Sequence, residues 1–283
     1  MKKRRGRPWK TFRRGLRQRW QALVGRELAP EKWVFVVGCY NSGTTLLTNL
    51  LNAHPDMQAL PREGVELTDA LPRPEELGWP RMWAQCEQHV HIPEAGAAAR
   101  AKRIKRQWAP YGAGADIVVE KSIANVTRLK FLNAQFTPAY FIYLIRNGYA
   151  VAEGIKRRAK PRDWGNAKFP RYPVELCAEQ WAKSDEYFQR DRQALPHVLN
   201  LSYEDLTQDP NATLQQIATF LSLPEFPAEV TKRTWKVHRI SSPIVNMNAD
   251  ALSRLSEDDL DVIARVAGAA LSRHGYSRPK APR

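Results

Sequence analysis

The chain has 283 residues, 44 lysines and arginines against 29 acidic residues, a formal charge of +15, and 43% hydrophobic and 10% aromatic content. Apolar content of this size at this length excludes a disulfide-stapled miniprotein and a disordered polyelectrolyte, because a sizeable core can close. The charge invites a nucleic-acid reading, but eleven basic residues and no acid lie in residues 1–26, leaving 33 basic against 29 acidic residues beyond them, so the body carries only +4 and no specific nucleic-acid partner is expected.

Residues 1–28 read as a basic arm ahead of one domain spanning 29–283. Trp9, Phe12, Leu16, Trp20, Leu23 and Val24 recur at three- and four-residue steps between arginines and lysines, the pattern of an amphipathic helix. Such an arm suits an anionic membrane surface, with Trp and Leu down and Arg up. It equally suits a solvated arm packed on the parent domain or a partner. No apolar run follows the N-terminal charges as in a signal peptide, and nowhere is there an apolar stretch of transmembrane length. Cys39, Cys86 and Cys177 are scattered and odd in number, which points to a reduced, cytoplasmic setting and to neither a disulfide framework nor a zinc site.

After Pro30, the apolar run Trp33–Val37 predicts a strand buried on both faces. Gly38-Cys39-Tyr40-Asn41-Ser42-Gly43-Thr44-Thr45 follows, and then leucines at 46, 47, 50 and 51 mark a helix that His54-Pro55 closes, with His54 as its cap. Residues 62–115 differ in texture. Their prolines, Trp79, Trp83, Trp108, Tyr111 and the Ala/Gly-rich stretch at 95–101 predict an excursion from the sheet, forming a substrate wall or lid. His89 and His91 in that stretch lack a third ligand at metal-like spacing. Further buried strands are predicted at 117–119, 140–145 and 197–201, with helices at 174–195, 213–221 and 257–273. Strands alternating with helical patterns predict an α/β three-layer sandwich around a central parallel sheet.

A glycine loop between a buried strand and a helix gathers backbone N–H groups and the helix's positive end around one point, a site for phosphate or another oxyanion. In the ATP-binding version, GxxxxGK[ST], a lysine contacts the terminal phosphates. Here that position is Thr44, which argues against a nucleotide kinase or NTPase using magnesium.

Together with the leucine-rich helix and His54-Pro55-Asp56, the loop resembles the 5′-phosphosulfate segment of sulfotransferases that use 3′-phosphoadenosine 5′-phosphosulfate (PAPS), in the branch that includes carbohydrate and tyrosyl-protein enzymes. Tyr143–Ala152, with Arg146 after the strand, resembles that family's 3′-phosphate segment, and Leu201–Leu206 with Asp209-Pro210 and Phe220-Leu221 resembles its later strand and helix. Glu120-Lys121-Ser122 falls where the family has a further site segment, and the matches run in order from residue 33 to 223.

The resemblance implies a P-loop-like sulfotransferase fold and transfer of a sulfuryl group from PAPS to a hydroxyl of a carbohydrate, lipid, small molecule or tyrosine, without a metal and with 3′,5′-ADP as product. Asn41, Ser42, Gly43, Thr44 and Thr45 would hold the 5′ end, Arg146 and Arg158 the 3′-phosphate, and Tyr203 would lie near the adenine. Arg157 is the alternative to Arg158. Glu63 would be the general base, with Glu66 as alternative, and Lys121 the main cation, unless it is merely a solvated lysine at a strand end. Two departures stand out. Asn41 occupies a position that is Lys or Arg in many relatives, and Gly154 stands where a serine is expected. These departures keep open a degenerate member that binds nucleotide without turnover.

Overall fold

The computed structural model describes residues 20–21, 24–237 and 240–280. Most of the basic arm lies outside them, and so do His238 and Arg239. At the arm's end, Trp20 and Val24 are exposed.

Five strands form one parallel sheet: β1 (Lys32–Gly38), β2 (Met57–Ala59), β3 (Ile117–Glu120), β4 (Ala139–Ile145) and β5 (Val198–Ser202), in the order β2-β3-β1-β4-β5. β1 lies at the centre, with Val34 opposite Val119 of β3 and Tyr140 of β4. The unbroken apolar run of β1 divides by parity, because successive side chains leave a strand on opposite faces. Trp33, Phe35 and Val37 join one core, while Val34 and Val36 join the other.

Helices cover both faces. On the first pack α2 (Ala97–Gly112), α3 (Leu129–Gln135), α4 (Gly148–Arg158), α5 (Val174–Asp191) and α9 (Glu257–Arg273). On the second pack α1 (Thr44–Leu51) and α7 (Pro210–Leu221), with α6 (Tyr203–Gln208) between β5 and α7. A hairpin of β6 (Trp235–Val237) and β7 (Ile240–Ser242) lies beside α1, followed by α8 (Asn248–Leu252).

The expected strands are present within one or two residues, and the three expected helices are present. β2 and the hairpin were not expected, being three-residue strands too short to carry a period. The 62–115 excursion is more than a surface wall. It contains α2, and its Trp83 and Trp108 are fully buried. Trp108 packs against Trp33 at 6.0 Å and Phe136 at 5.6 Å. His54 does not cap α1: Asn52 does. The His54 ring is buried, with Nε2 3.1 Å from the Pro224 carbonyl and Nδ1 accepting from Asp56 N–H, so it ties the end of α1 to the turn after α7. The three cysteines are free and buried, and burial pushes the thiols of Cys39 and Cys86 up to about 12.

Candidate functional site at the carboxyl ends of the central strands

From β1 the chain passes to β2 on one side, whereas from β4 it passes to β5 on the other, so the strand order reverses between β1 and β4 and the crevice for a ligand lies beyond their carboxyl ends. The loop from β1 to α1 occupies it. Asn41 and Gly43 have positive φ, 62° and 92°, which turns the chain sharply enough for α1 to begin at Thr44. Gly43 is required twice over: L side chains rarely adopt its backbone angle, and a Cβ there would stand 2.6 Å from the Tyr203 ring. Two buried side-chain atoms in the loop, Asn41 Nδ2 and Ser42 Oγ, have no hydrogen-bond partner. Buried polar atoms are normally paired, so these orphans and the first-turn N–H groups of α1 mark the loop as a seat for an acceptor-rich group.

Two clefts share this loop. Asn41, Thr44 and Thr45 line both. The first, with about 890 Å³ of empty space, is walled by α4, by the 235–247 hairpin region and by α8. Arg146 is only 8% exposed. Its Nη1 donates to the Asn41 carbonyl at 2.7 Å, its Nε donates to Asn248 Oδ1 at 2.8 Å, and its guanidinium lies 4.1 Å above the Tyr203 ring. All three partners are neutral, and burial draws the Arg146 pKa down. The Tyr203 hydroxyl bonds the carbonyl of Val245 and the N–H of Met247, pinning that wall of the cleft.

Arg157 and Arg158, inseparable in the sequence, differ here. Arg157 Nε binds Glu153 at 2.7 Å, a carboxylate that also takes Arg254. Arg158 has no carboxylate within ion-pair distance among the described residues, and its pKa is lowered by burial and then by Arg157, Arg81 and Arg146. A half-buried guanidinium among other cations favours an anion.

The second cleft has about 1630 Å³ of empty space and holds Glu63, Glu66 and Lys121. Glu63 and Lys121, 58 positions apart, form a pair at 2.7 Å with side chains 30% and 13% exposed. Glu66 instead faces the exposed Arg62 at 3.6 Å. Beneath the pair lies Glu120, fully buried at the end of β3. Its carboxylate accepts from the N–H of Gly64 at 2.8 Å and from the Ser122 hydroxyl and Asn125 amide. Trp108 Nε1 donates to the Gly64 carbonyl and Ser122 Oγ accepts from Val65 N–H. Three side chains, Glu120, Trp108 and Ser122, thus clamp the turn that carries Glu63. Burial pushes the Glu120 carboxyl up to about 7, against the lowering effect of its donors.

The two departures noted in the sequence meet in space. A Cβ on Gly154 would stand 2.9 Å from Cγ of Asn41: the asparagine side chain fills the room that a serine would need. Sequence reasoning did not single out Arg81, whose Nη1 donates to Asn41 Oδ1 at 3.3 Å, nor Asn248, Glu153 and Arg254. Arg81, Asn248 and Arg254 approach the loop or α4 only through long-range packing, which no local pattern marks, whereas Glu153 lies on α4 itself, four residues before Arg157. Among the described residues, no cluster of three His, Cys, Asp or Glu side chains has metal-binding geometry, and no helix is long and apolar enough to cross a membrane.

A parallel sheet with a glycine loop at its switch point, flanked by two arginines that have no carboxylate partner among the described residues, defines an α/β protein with a seat suited to an anion. A model of the sulfotransferase family matches residues 34–228, well over half of the chain, which therefore belongs to that family. The chain is 25% identical to protein-tyrosine sulfotransferase 1 of Danio rerio over 265 residues, covering 86% of this chain and 72% of that protein. It is also 25% identical to protein-tyrosine sulfotransferase of Drosophila melanogaster over 266 residues, 86% of this chain but 51% of that one, so it spans about half of that relative's length. Among solved structures, the sulfotransferase domain from the curacin biosynthetic pathway aligns with a TM-score of 0.58 at 22% identity, over 90% of this chain and 100% of that one. That likeness establishes the shared fold.

Proposed function

We propose that the protein transfers a sulfuryl group from PAPS to a hydroxyl acceptor. The observation that carries this reading is the loop shared by two clefts, one walled by Arg146 and Arg158 and the other holding the Glu63–Lys121 pair. Bound PAPS supplies an activated sulfuryl group as a mixed anhydride with phosphate. Its chemistry fits the residues present: the orphaned Asn41 Nδ2 and Ser42 Oγ and the Gly43, Thr44 and Thr45 N–H groups suit the 5′ end. Arg146 and Arg158, lacking carboxylate partners, suit the 3′-phosphate, and Tyr203 forms the floor of that cleft.

Glu63 takes the proton of the acceptor hydroxyl. Lys121, within hydrogen-bond distance of Glu63, holds that carboxylate in place and stabilises charge where it develops. The acceptor enters the second cleft, where the 62–115 segment contributes Arg62, Glu66, Arg73 and Glu75 and where half-exposed Trp164 stands at the rim.

Thermal shift with 3′,5′-ADP, set against ATP with Mg²⁺, tests the nucleotide. Stabilisation by 3′,5′-ADP is expected, and stabilisation by ATP with Mg²⁺ alone overturns the reading. Release of 3′,5′-ADP from PAPS with a panel of glycans, lipids, small phenols and tyrosine peptides identifies the acceptor and separates an enzyme from a binding-only relative.

The N-terminal arm carries a separate reading, membrane association of a cytoplasmic enzyme. Its support is the amphipathic basic pattern, whose last apolar residues Trp20 and Val24 are 62% and 61% exposed. Full-length protein is expected to float with anionic vesicles. Equal flotation of a form lacking residues 1–26 overturns the idea.

A further inference from the structure

The loop at the site has no cation of its own: Gly38–Thr45 contains neither lysine nor arginine. Four basic residues line the second cleft beside it. Arg62 faces Glu66, Arg73 faces Glu76 at 3.5 Å, and Lys121 is bound to Glu63. Arg81 is the exception. Among the described residues it has no carboxylate within ion-pair distance of its guanidinium, and its side-chain bond is to Asn41 of the loop.

Its backbone is also held in an unusual way. Arg81 has φ 60°, in the region that non-glycine residues rarely adopt. A bulky residue in this conformation persists only where its surroundings hold it there. The charge reaches both clefts, since Arg81 helps lower the pKa of Arg158 on the nucleotide side.

We propose that Arg81 is a catalytic residue, the cation that the loop lacks, brought from the 62–115 segment onto the transferring group through its contact with Asn41. The inference rests on the PAPS reading above. In the transfer, the acceptor oxygen forms its bond to sulfur as the bridging sulfur–oxygen bond breaks, and the hydroxyl proton passes to Glu63. The electron pair of the broken bond stays on the phosphate oxygen of departing 3′,5′-ADP. Negative charge thus grows on that oxygen, beside the loop, where a guanidinium hydrogen-bonded to Asn41 can meet it. Asn41 acts through Arg81 as a positioning residue: its carbonyl side accepts from the guanidinium, and Gly154 leaves room for it.

Two variants separate charge from scaffolding. Arg81→Gln keeps a donor for Asn41 Oδ1 but removes the charge, and Arg81→Lys keeps the charge. The probes are PAPS and 3′,5′-ADP, each titrated calorimetrically, together with acceptor-free release of 3′,5′-ADP from PAPS. Arg81→Gln is expected to slow release about 10²-fold and to weaken 3′,5′-ADP, whose 5′-phosphate carries the charge left by the broken bond, at least as much as PAPS. Arg81→Lys is expected to recover at least a tenth of the wild-type rate. Wild-type release by Arg81→Gln overturns the proposal. So does a loss of affinity and rate in Arg81→Lys as large as that in Arg81→Gln, since that would reveal a loop support rather than a charge. Failure of the wild-type protein itself to bind 3′,5′-ADP instead sinks the PAPS reading, a result distinct from either.

Discussion

At the scale of single residues, the pairing of Glu63 separates it from Glu66. Glu63 is tied to Lys121 inside the second cleft, whereas Glu66 meets an exposed arginine at 3.6 Å, a surface pair that contributes little. Glu63→Gln is therefore expected to lower kcat by about 10²–10⁴-fold with 3′,5′-ADP binding retained, and Glu66→Gln to stay near wild type. The reverse order in steady-state rates would reassign the base. A second prediction concerns Gly43, where a methyl group would meet both the backbone angle and the Tyr203 ring. Gly43→Ala is expected to destabilise the protein by about 1–3 kcal/mol and to abolish the thermal shift with 3′,5′-ADP. Chemical denaturation with and without nucleotide measures both.

At the scale of elements, the end of β3 and the turn after β2 are coupled by one buried acid. Glu120 accepts bonds from both, and its carboxyl is pushed up to about 7 by burial. Since this folded value lies above the ordinary 4.5 of the unfolded chain, the stability contribution is complete below about pH 4.5 and is lost as pH rises toward 7 and beyond. A glutamine keeps the neutral form at every pH. Relative to Glu120→Gln, the wild-type protein should lose on the order of 3 kcal/mol between pH 4 and 8. A difference in Tm that does not change with pH would contradict this. Because the same acid holds Gly64 directly and Val65 through Ser122, beside Glu63, the variant is expected to change kcat more than the affinity for 3′,5′-ADP.

At the scale of the whole molecule, Asp185 of α5 joins the sheet to the last helix. It is fully buried and takes bonds from Tyr143 of β4 at 3.2 Å, from Gln189, from His274 at 2.8 Å and from Arg273 at the end of α9. Burial works to raise its pKa, but the bonds from His274, Gln189 and Arg273 hold it below the usual 3.8. That stability is present above pH 3.8 and is lost as pH falls through the folded value. Asp185→Asn is expected to cost about 1.5–3 kcal/mol at neutral pH, because its cation partner Arg273 is half exposed, with the cost shrinking below pH 4, as read by denaturant unfolding.

Much of this architecture is written locally. The run Trp33–Val37 specified a strand buried on both faces because its apolar character does not alternate, and the leucine spacing after Thr45 specified α1. The glycine positions marked an oxyanion loop, because only a sharp turn between these two elements calls for Gly43. Those signals depend on neighbours within a few residues, and the resemblance to sulfotransferases rested on them. Three-residue β2 escaped, being shorter than any period. The excursion was legible as a departure from the sheet but not as a contributor of Trp108 to the core, since which tryptophans are buried depends on what folds over them. The same limit applied at the site. Glu63 and Lys121 are 58 positions apart, Asn41 and Gly154 are 113 apart, and Arg81 reaches Asn41 across 40. Sequence by itself named most of the candidate residues, while folding alone set Glu63 against Lys121 and Glu66 against Arg62, paired Arg157 with Glu153 but left Arg158 without a carboxylate among the described residues, and brought Arg81 to Asn41, because contacts between distant segments leave no periodic trace in the chain.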